Sequence, residues 1–161
     1  MKAYHYTGMK GFSCILRDEV ILSRYARLAK EIVERRGGTF EDQFRKVQDI
    51  FSNDDPKEKR NDRSVYLSHR PDRTSLEGAV TKAMKNQELV VLEFDFPANM
   101  NLETPNCGYV RVSPELSLEY LTEVYAQRHV LDKVQGKLKL AHNGKYADIP
   151  VYEWESAKIK R

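Results

Sequence analysis

The stretch Lys2-Ala-Tyr-His-Tyr-Thr-Gly8 decides how the chain begins to fold. Its alternating residues predict a short β-strand, which Gly8 ends. The segment after it, Phe12-Ser-Cys-Ile-Leu16, spaces its apolar residues as one face of a short helix does. We therefore expect the side chains of His5 and Thr7 where a strand meets the start of a helix. Binding and catalytic groups often lie at such element ends.

Two helices are predicted after this opening. Residues 24–36 carry an apolar face and end at Gly37, the usual kind of helix terminator. A second helix is expected to begin after Thr39, whose hydroxyl suits a helix N-cap. Residues 52–63 are charged and have almost nothing to bury, which predicts a surface loop. The whole of 24–63 fits a helical insertion between two core strands.

Short strands dominate the second half of the sequence. Residues 88–96 form the strongest predicted strand, because their Val-Val-Leu centre suits burial on both faces. Asn143-Gly144 lies between two alternating runs and predicts a hairpin. The fold class is therefore α+β. Further predictions are strands at 64–68 and 108–112, a helix from Thr74 or Ser75 to about residue 86, and a short helix from Pro114 to about Ala126 that runs into a further strand or helix.

Length and composition limit the class of protein. The chain has 161 residues, which favours one domain, residues 1–161, with 127–161 forming C-terminal strands or an appendage. It is 40% hydrophobic and 32% charged, as in ordinary soluble proteins. A net charge of +3 permits contact with nucleic acid. We see no membrane-spanning run and no signal peptide, so we expect no membrane partner and a cytoplasmic location.

Several kinds of site are excluded by their missing motifs. The two cysteines, Cys14 and Cys107, are far apart, and both are expected to be reduced thiols. No CxxC or paired Cys/His spacing is present, so no metal site is predicted. The sequence also contains no P-loop, Gly-rich dinucleotide fingerprint, HExxH or GxSxG motif.

Two short motifs resemble those of a known enzyme family. His5-Tyr6-Thr7 is similar to the His-x-Thr strand motif of ADP-ribosyltransferases of the diphtheria-toxin, PARP-like and DarT-like branch. Val65-Tyr66-Leu67-Ser68 is similar to the Tyr-bearing strand of that family. The resemblance extends in order over residues 1–126. It implies a split β-sheet fold with N-terminal helices packed on it.

This resemblance implies an enzyme that uses NAD as its substrate. A His can hydrogen-bond ribose hydroxyls, a Tyr ring can stack on nicotinamide, and an Arg can engage the pyrophosphate. A carboxylate near the ribose would stabilise the oxocarbenium-like transition state and accept a proton from the nucleophile. The NAD-binding residues implied in this way are His5, Thr7, Gly8, Arg24, Tyr66 and Ser68.

The family carboxylate is expected at about Gly108 or Tyr109, where this sequence has no acid. Glu103 lies just before that window and Glu115 just after it. We take Glu115, with His5 and Tyr66, as the catalytic set. Each residue also fits a structural role, such as a strand His bonded to backbone or a cross-strand Tyr.

Three functions remain open at this point. The favoured one is ADP-ribosylation of a macromolecule, with DNA or RNA slightly preferred to protein as the acceptor, and a toxin role is typical of compact relatives. The second is a module on the same fold that binds NAD, a nucleotide or a partner without transfer. The third is an RNA 2′-phosphotransferase, for which the residues would be His5, Arg24, His69 and Arg70.

Overall fold

The computed structural model describes residues 1–50, 65–68, 78–100, 102, 109–112 and 115–155. Predictions that fall outside this set include the loop 52–63, the helix start at Thr74 or Ser75, and residues His69, Arg70, Glu103 and Cys107. The backbone divides into two compact units. The first comprises Met1–Glu19, Leu67–Val110 and Leu118–Arg161, and the second comprises Val20–Tyr66 and Arg111–Ser117.

Six strands form one mixed sheet. They are β1 (Lys2–Thr7), β3 (Val65–Ser68), β4 (Val90–Asp95), β5 (Tyr109–Val112), β7 (Leu121–Ala126) and β8 (Val151–Glu153). Their order is β5-β3-β1-β4-β7-β8, and only the β7–β8 pair is parallel among the register pairs described. The predicted α+β class is confirmed, as are the strands expected at the N-terminus and near 64–68, 88–96 and 108–112.

Strand β4 lies at the centre of the first unit because its side chains suit burial on both faces. Val90 to Phe94 are all buried, as the apolar run predicted. Helix α4 (Gly78–Lys85) places Ala83 against one face, in a cluster with Tyr4, Val91 and Trp154. The first unit also contains helix α1 (Met9–Asp18), which buries Phe12 and Leu16, and helix α5 (Leu131–Leu140), which buries Val134 and Leu138.

The second unit contains the two helices predicted from periodicity. Helix α2 (Arg24–Arg36) packs against helix α3 (Phe40–Ile50) through Tyr25, Ala29 and Val47. Gly37 ends α2 with a φ of 78°, a conformation that favours glycine. The Thr39 hydroxyl accepts a hydrogen bond from the Asp42 amide at 3.2 Å, as expected of an N-cap. Strands β2 (Val20–Leu22) and β6 (Glu115–Ser117) pair as a ribbon.

The predicted hairpin around Asn143-Gly144 is wrong. Residues 137–140 form the last turn of α5, because Val134 and Leu138 are buried four residues apart on one helix face. His142 and Asn143 do adopt left-handed backbone, with φ of 49° and 56°. These residues turn the chain after a helix rather than between two strands. The Asn-Gly signal therefore gave the local conformation correctly and the neighbouring elements incorrectly.

The predicted helix after Pro114 is also wrong. Residues 115–117 form β6, where Leu116 pairs with Ile21 and is buried. A single 3₁₀ turn (Leu118–Tyr120) leads directly into β7. Pairing with a distant strand outweighed the local helix signal here. Within the described part of the chain, no helix is long and apolar enough to cross a membrane.

Candidate active site

The junction of β1 and α1 holds three of the predicted NAD-binding residues. His5 and Thr7 pair with Leu92 and Val90 of β4 and are half-buried. Gly8 follows as the N-cap of α1, with an extended backbone. The Gly8 carbonyl accepts hydrogen bonds from the Phe12 amide at 2.9 Å and from the Thr7 hydroxyl at 3.4 Å. The sequence therefore placed these side chains correctly at a strand end and a helix start.

A glycine in the first turns of α1 makes room for Thr7. A Cβ atom at Gly11 would lie 2.1 Å from the Thr7 hydroxyl oxygen, far inside van der Waals contact. A Cβ atom at Gly8 would meet that of Ala83 at 3.3 Å. The close packing of Thr7 against α1 therefore depends on Gly11.

The remaining predicted residues lie elsewhere in the chain. Ser68 is 5% exposed and pairs with Tyr4 across β3 and β1. Arg24 opens α2, directly after Ser23, whose hydroxyl accepts from the Ala26 amide. Glu115 opens β6 and is exposed. Arg24, Tyr66 and Glu115 belong to the second unit, whereas His5, Thr7, Gly8 and Ser68 belong to the first.

A buried carboxylate that the sequence analysis missed lies on β4. Glu93 is 2% exposed, although its neighbours along the strand are apolar. Its Oε1 atom accepts a hydrogen bond from the Lys2 ammonium at 2.8 Å. The Thr122 hydroxyl donates to the Glu93 backbone carbonyl at 3.2 Å and lies 3.4 Å from Oε1. A buried charge is tolerated when it is paired and hydrogen-bonded in this way.

A second carboxylate lies directly opposite Glu93. Glu123 on β7 pairs in register with Glu93 and is half-buried. The Tyr125 phenol donates to Glu123 Oε2 at 2.6 Å, and the same phenol oxygen lies 3.2 Å from Glu93 Oε2. One phenol thus bridges two glutamates. We call Lys2, Glu93, Thr122, Glu123 and Tyr125 the Glu93 cluster.

Lys2 supplies positive charge to this cluster. The hydrogen bond to Glu93 raises the pKa of Lys2 above its usual 10.5, and the nearby charges of Glu123 and Asp95 add to that effect. Asp95 also pairs with the N-terminal ammonium of Met1 at 3.2 Å. Glu93 is therefore paired with one cation, Lys2, and Asp95 with another, the Met1 ammonium.

Strand register separates the Glu93 cluster from His5. His5 is level with Leu92 and Val124, whereas Tyr4 is level with Glu93 and Glu123. Neighbouring residues of a strand point to opposite faces of a sheet. His5 and Thr7 therefore lie on one face of the sheet and the Glu93 cluster on the other.

A sequence signal for this cluster did exist. Glu93 interrupts the apolar run Val90 to Phe94, and a charge inside a doubly buried strand requires a partner. The partners come from β1 and β7, which are 91 and 29 to 32 positions away. Without the register, the sequence could not show which residues they are.

A second cluster of similar composition lies at the end of α1. Glu19 Oε1 accepts hydrogen bonds from the Lys145 ammonium and the Tyr146 phenol, both at 2.6 Å. These bonds, that of Lys145 first, lower the pKa of Glu19. Burial and then the bond to Glu19 raise the pKa of Tyr146 to about 12. The His142 ring packs beside them, with Nε2 2.7 Å from the Leu16 carbonyl oxygen.

No group of metal-ligating side chains occurs among the described residues. The functional groups of the Glu93 cluster are two carboxylates, a phenol, a hydroxyl and an ammonium. Such groups stabilise developing positive charge and accept protons.

Comparison with known proteins identifies the fold. No family model matches the chain, and no curated protein matches it. Two solved structures of Thermus sp. 2.9 DarT, one with ADP-ribosylated ssDNA and one with carba-NAD+, align with 96% of it. Their TM-scores are 0.55 and 0.54, each at 12% identity, and 94% and 95% of those chains are covered. The chain has the DarT-like ADP-ribosyltransferase fold.

A third structure with this fold is Thermosipho africanus DarTG in complex with ADP-ribose. It aligns with 94% of the chain at a TM-score of 0.53 and 13% identity. The chain spans about half of that protein, 49% of its length, and nearly all of the Thermus DarT. The DarT-like fold expected from His5-Tyr6-Thr7 and Val65-Tyr66-Leu67-Ser68 is thereby confirmed.

Proposed function

We propose that this protein is an NAD-dependent ADP-ribosyltransferase that modifies a macromolecular acceptor, with Glu123 as its carboxylate. The observation that carries the proposal is the position of Glu123. It lies half-buried on an inner strand of a DarT-like fold, with its Oε2 bound by the Tyr125 phenol. A carboxylate on a strand after the Tyr-bearing one is what the family resemblance requires.

Glu123 suits this role better than the residue chosen from the sequence. Glu115 is exposed at the start of a three-residue strand, where water screens its charge. Glu123 is partly shielded and is oriented by a hydrogen bond of 2.6 Å. A fixed carboxylate in a shielded place stabilises developing positive charge without the cost of reorganisation.

The chemical step then follows from the groups present. The bond from the ribose to nicotinamide breaks, and its electron pair leaves with the nicotinamide. Glu123 stabilises the positive charge that develops on the ribose. The acceptor nucleophile forms the new bond to the ribose, and its proton passes to Glu123.

The residues predicted to bind NAD stay predictions within this proposal. They are His5, Thr7, Gly8, Arg24, Tyr66 and Ser68. His5 lies on the face of the sheet opposite Glu123. The proposed chemical step therefore depends on Glu123 alone, and NAD binding by His5 is a separate question.

Single-stranded DNA is the first acceptor to test. The support is the Thermus DarT structure with ADP-ribosylated ssDNA, which shares this fold. The net charge of +3 is compatible with a nucleic-acid substrate. RNA and protein are the alternatives.

The test uses NAD labelled on its adenylate phosphate, with ssDNA, RNA or protein as acceptor. We expect label on ssDNA and a loss of at least about 100-fold in Glu123→Gln. Glu153→Gln is the matched control, because it removes the same charge from an exposed position on β8. Label on RNA or protein instead of ssDNA would support the proposed reaction and identify a different acceptor.

The remaining outcomes are separated by two measurements on the same samples, label transfer and NAD binding by calorimetry. Full transfer in Glu123→Gln together with loss in Glu115→Gln would return the catalytic role to the residue chosen from the sequence. Binding without transfer to any acceptor would contradict the proposal and favour the binding module. His5→Ala decides the separate question of NAD binding by His5. Binding weakened about tenfold, the effect of one lost hydrogen bond, would support that role, and unchanged binding would remove His5 from the predicted NAD-binding residues.

A further inference from the structure

The Tyr125 phenol has two carboxylate neighbours and one proton to donate. Its oxygen lies 2.6 Å from Glu123 Oε2 and 3.2 Å from Glu93 Oε2. The shorter distance is typical of a hydrogen bond to a charged oxygen, so the proton points to Glu123. The contact with Glu93 then has no proton from the phenol. Glu93 instead accepts a hydrogen bond at Oε1 from the Lys2 ammonium.

We propose that Tyr125 is a hydrogen-bond switch that serves Glu123 and Glu93 in turn. While Glu123 is charged, the phenol donates to it. Once Glu123 has taken the proton of the acceptor nucleophile, the phenol O–H rotates and donates to Glu93. No bond to Tyr125 forms or breaks, and the phenol keeps its proton throughout. The inference rests on the proposed role of Glu123, and Tyr125 and Glu93 act as positioning residues.

The switch solves a physical problem for a catalytic base. A hydrogen bond to a carboxylate favours its charged form and so opposes proton uptake. If the phenol had no second acceptor, protonation of Glu123 would leave it without a charged partner. Glu93, at 3.2 Å and 2% exposed, offers that second acceptor in a place shielded from water. The lost bond is thus replaced rather than left unmade.

Other charged and titratable groups near the switch affect its balance. Lys2 on β1 neutralises Glu93, and Asp95 on β4 is paired with the Met1 ammonium. The ring of Tyr152 on β8 lies 5.8 Å from that of Tyr125. Tyr152 is 41% exposed, which makes it a matched site for the same Tyr-to-Phe change.

The experiment is the pH–rate profile of transfer for Tyr125→Phe and Glu93→Gln, with Tyr152→Phe as the control. Tyr125→Phe removes a bond to charged Glu123, so its acidic limb is expected about one pH unit higher than in the wild type. Glu93→Gln removes a like charge beside Glu123, so its limb is expected at lower pH. Tyr152→Phe is expected to keep the wild-type limb.

The double variant Tyr125→Phe with Glu93→Gln distinguishes a switch from a fixed bond beside an independent like charge. A switch makes the two shifts depend on each other, so the shift of the double variant is expected to differ from their sum, whereas independent effects would add. Unchanged limbs in both variants, with Glu123→Gln inactive, would overturn the switch and leave the proposed function intact. Full activity of Glu123→Gln would overturn the proposed function itself. If Glu93→Gln does not fold, the double variant Lys2→Met with Glu93→Gln, which removes both charges of the pair, replaces it. Its limb is expected to lie closer to that of the wild type, because Lys2→Met also removes a cation that favours charged Glu123.

Discussion

Glu93 and Glu19 each accept hydrogen bonds from a lysine ammonium, and each lies beside a tyrosine phenol. Lys2 and Tyr125 surround Glu93, and Lys145 and Tyr146 surround Glu19. The Glu93 side chain is 2% exposed, whereas that of Glu19 is 34% exposed. The Glu93 cluster also contains a second carboxylate on a neighbouring strand.

This difference in exposure explains why a carboxylate, an ammonium and a phenol contribute differently to stability in the two clusters. At Glu19, water screens the charges, and the cluster ties the end of α1 to residues 142–146 of the same unit. At Glu93, the charges are shielded and their interactions are correspondingly stronger. Shielding also makes each lost partner costly, because the remaining group cannot turn to water. Matched variants at the two clusters measure that contrast.

The largest effect is expected from Lys2→Met. It leaves the Glu93 charge buried without its cation, and we expect a loss of about 1 to 2 kcal/mol in the free energy of unfolding. This is less than for a fully buried pair, because the Lys2 side chain is 48% exposed. Lys145→Met is the matched variant at Glu19, and no measurable change is expected there. Chemical denaturation at pH 7 compares the two, and equal losses would contradict the contrast.

A second effect is expected in alkali. The pKa of Lys2 is raised above 10.5 in the folded protein, so its contribution to stability is complete below pH 10.5 and lost as pH rises through the folded pKa. The pKa of Tyr146 is raised from 10 to about 12, so its contribution is lost between those values. Both clusters therefore contribute less to stability at high pH, the first because Lys2 loses its proton and the second because Tyr146 does.

Unfolding curves from pH 8 to 12 separate these contributions. The difference between wild type and Lys2→Met should be largest at pH 8 and should shrink above pH 10.5. The difference between wild type and Tyr146→Phe should persist to about pH 10 and shrink toward pH 12. A Lys2→Met difference that stays constant to pH 12 would mean that Lys2 stabilises the fold by packing of its stem rather than by charge.

Local signals explain what the sequence predicted well. The strand–helix junction at His5 and Thr7, the helix 24–36 and its end at Gly37 each depend on residues within a few positions of one another. The Thr39 cap is equally local. The DarT-like fold followed from the order of two motifs, because order survives when identity has fallen to 12%.

Distance along the chain explains what it missed. Glu93, Lys2 and Tyr125 come from three strands, and only the register brings them together. The acid was sought near Gly108, whereas Glu123, the carboxylate that we propose for the chemical step, lies 15 residues later on β7. Asn143-Gly144 has the backbone that such a pair favours, but the helix before it is set by burial of Val134 and Leu138.

The smallest effect is expected in acid, at Glu19. Its pKa is lowered from 4.5, first by the Lys145 hydrogen bond and then by that of Tyr146. A depressed pKa stabilises the fold above pH 4.5, and that contribution is lost as pH falls through the folded pKa. Wild type and Glu19→Gln should therefore differ slightly at pH 6 and converge toward pH 3. Thermal melting at both values measures this difference. A difference that grew on acidification would show that Glu19 is not held as a charged acceptor, and that the exposed cluster differs from Glu93 in more than its contact with water.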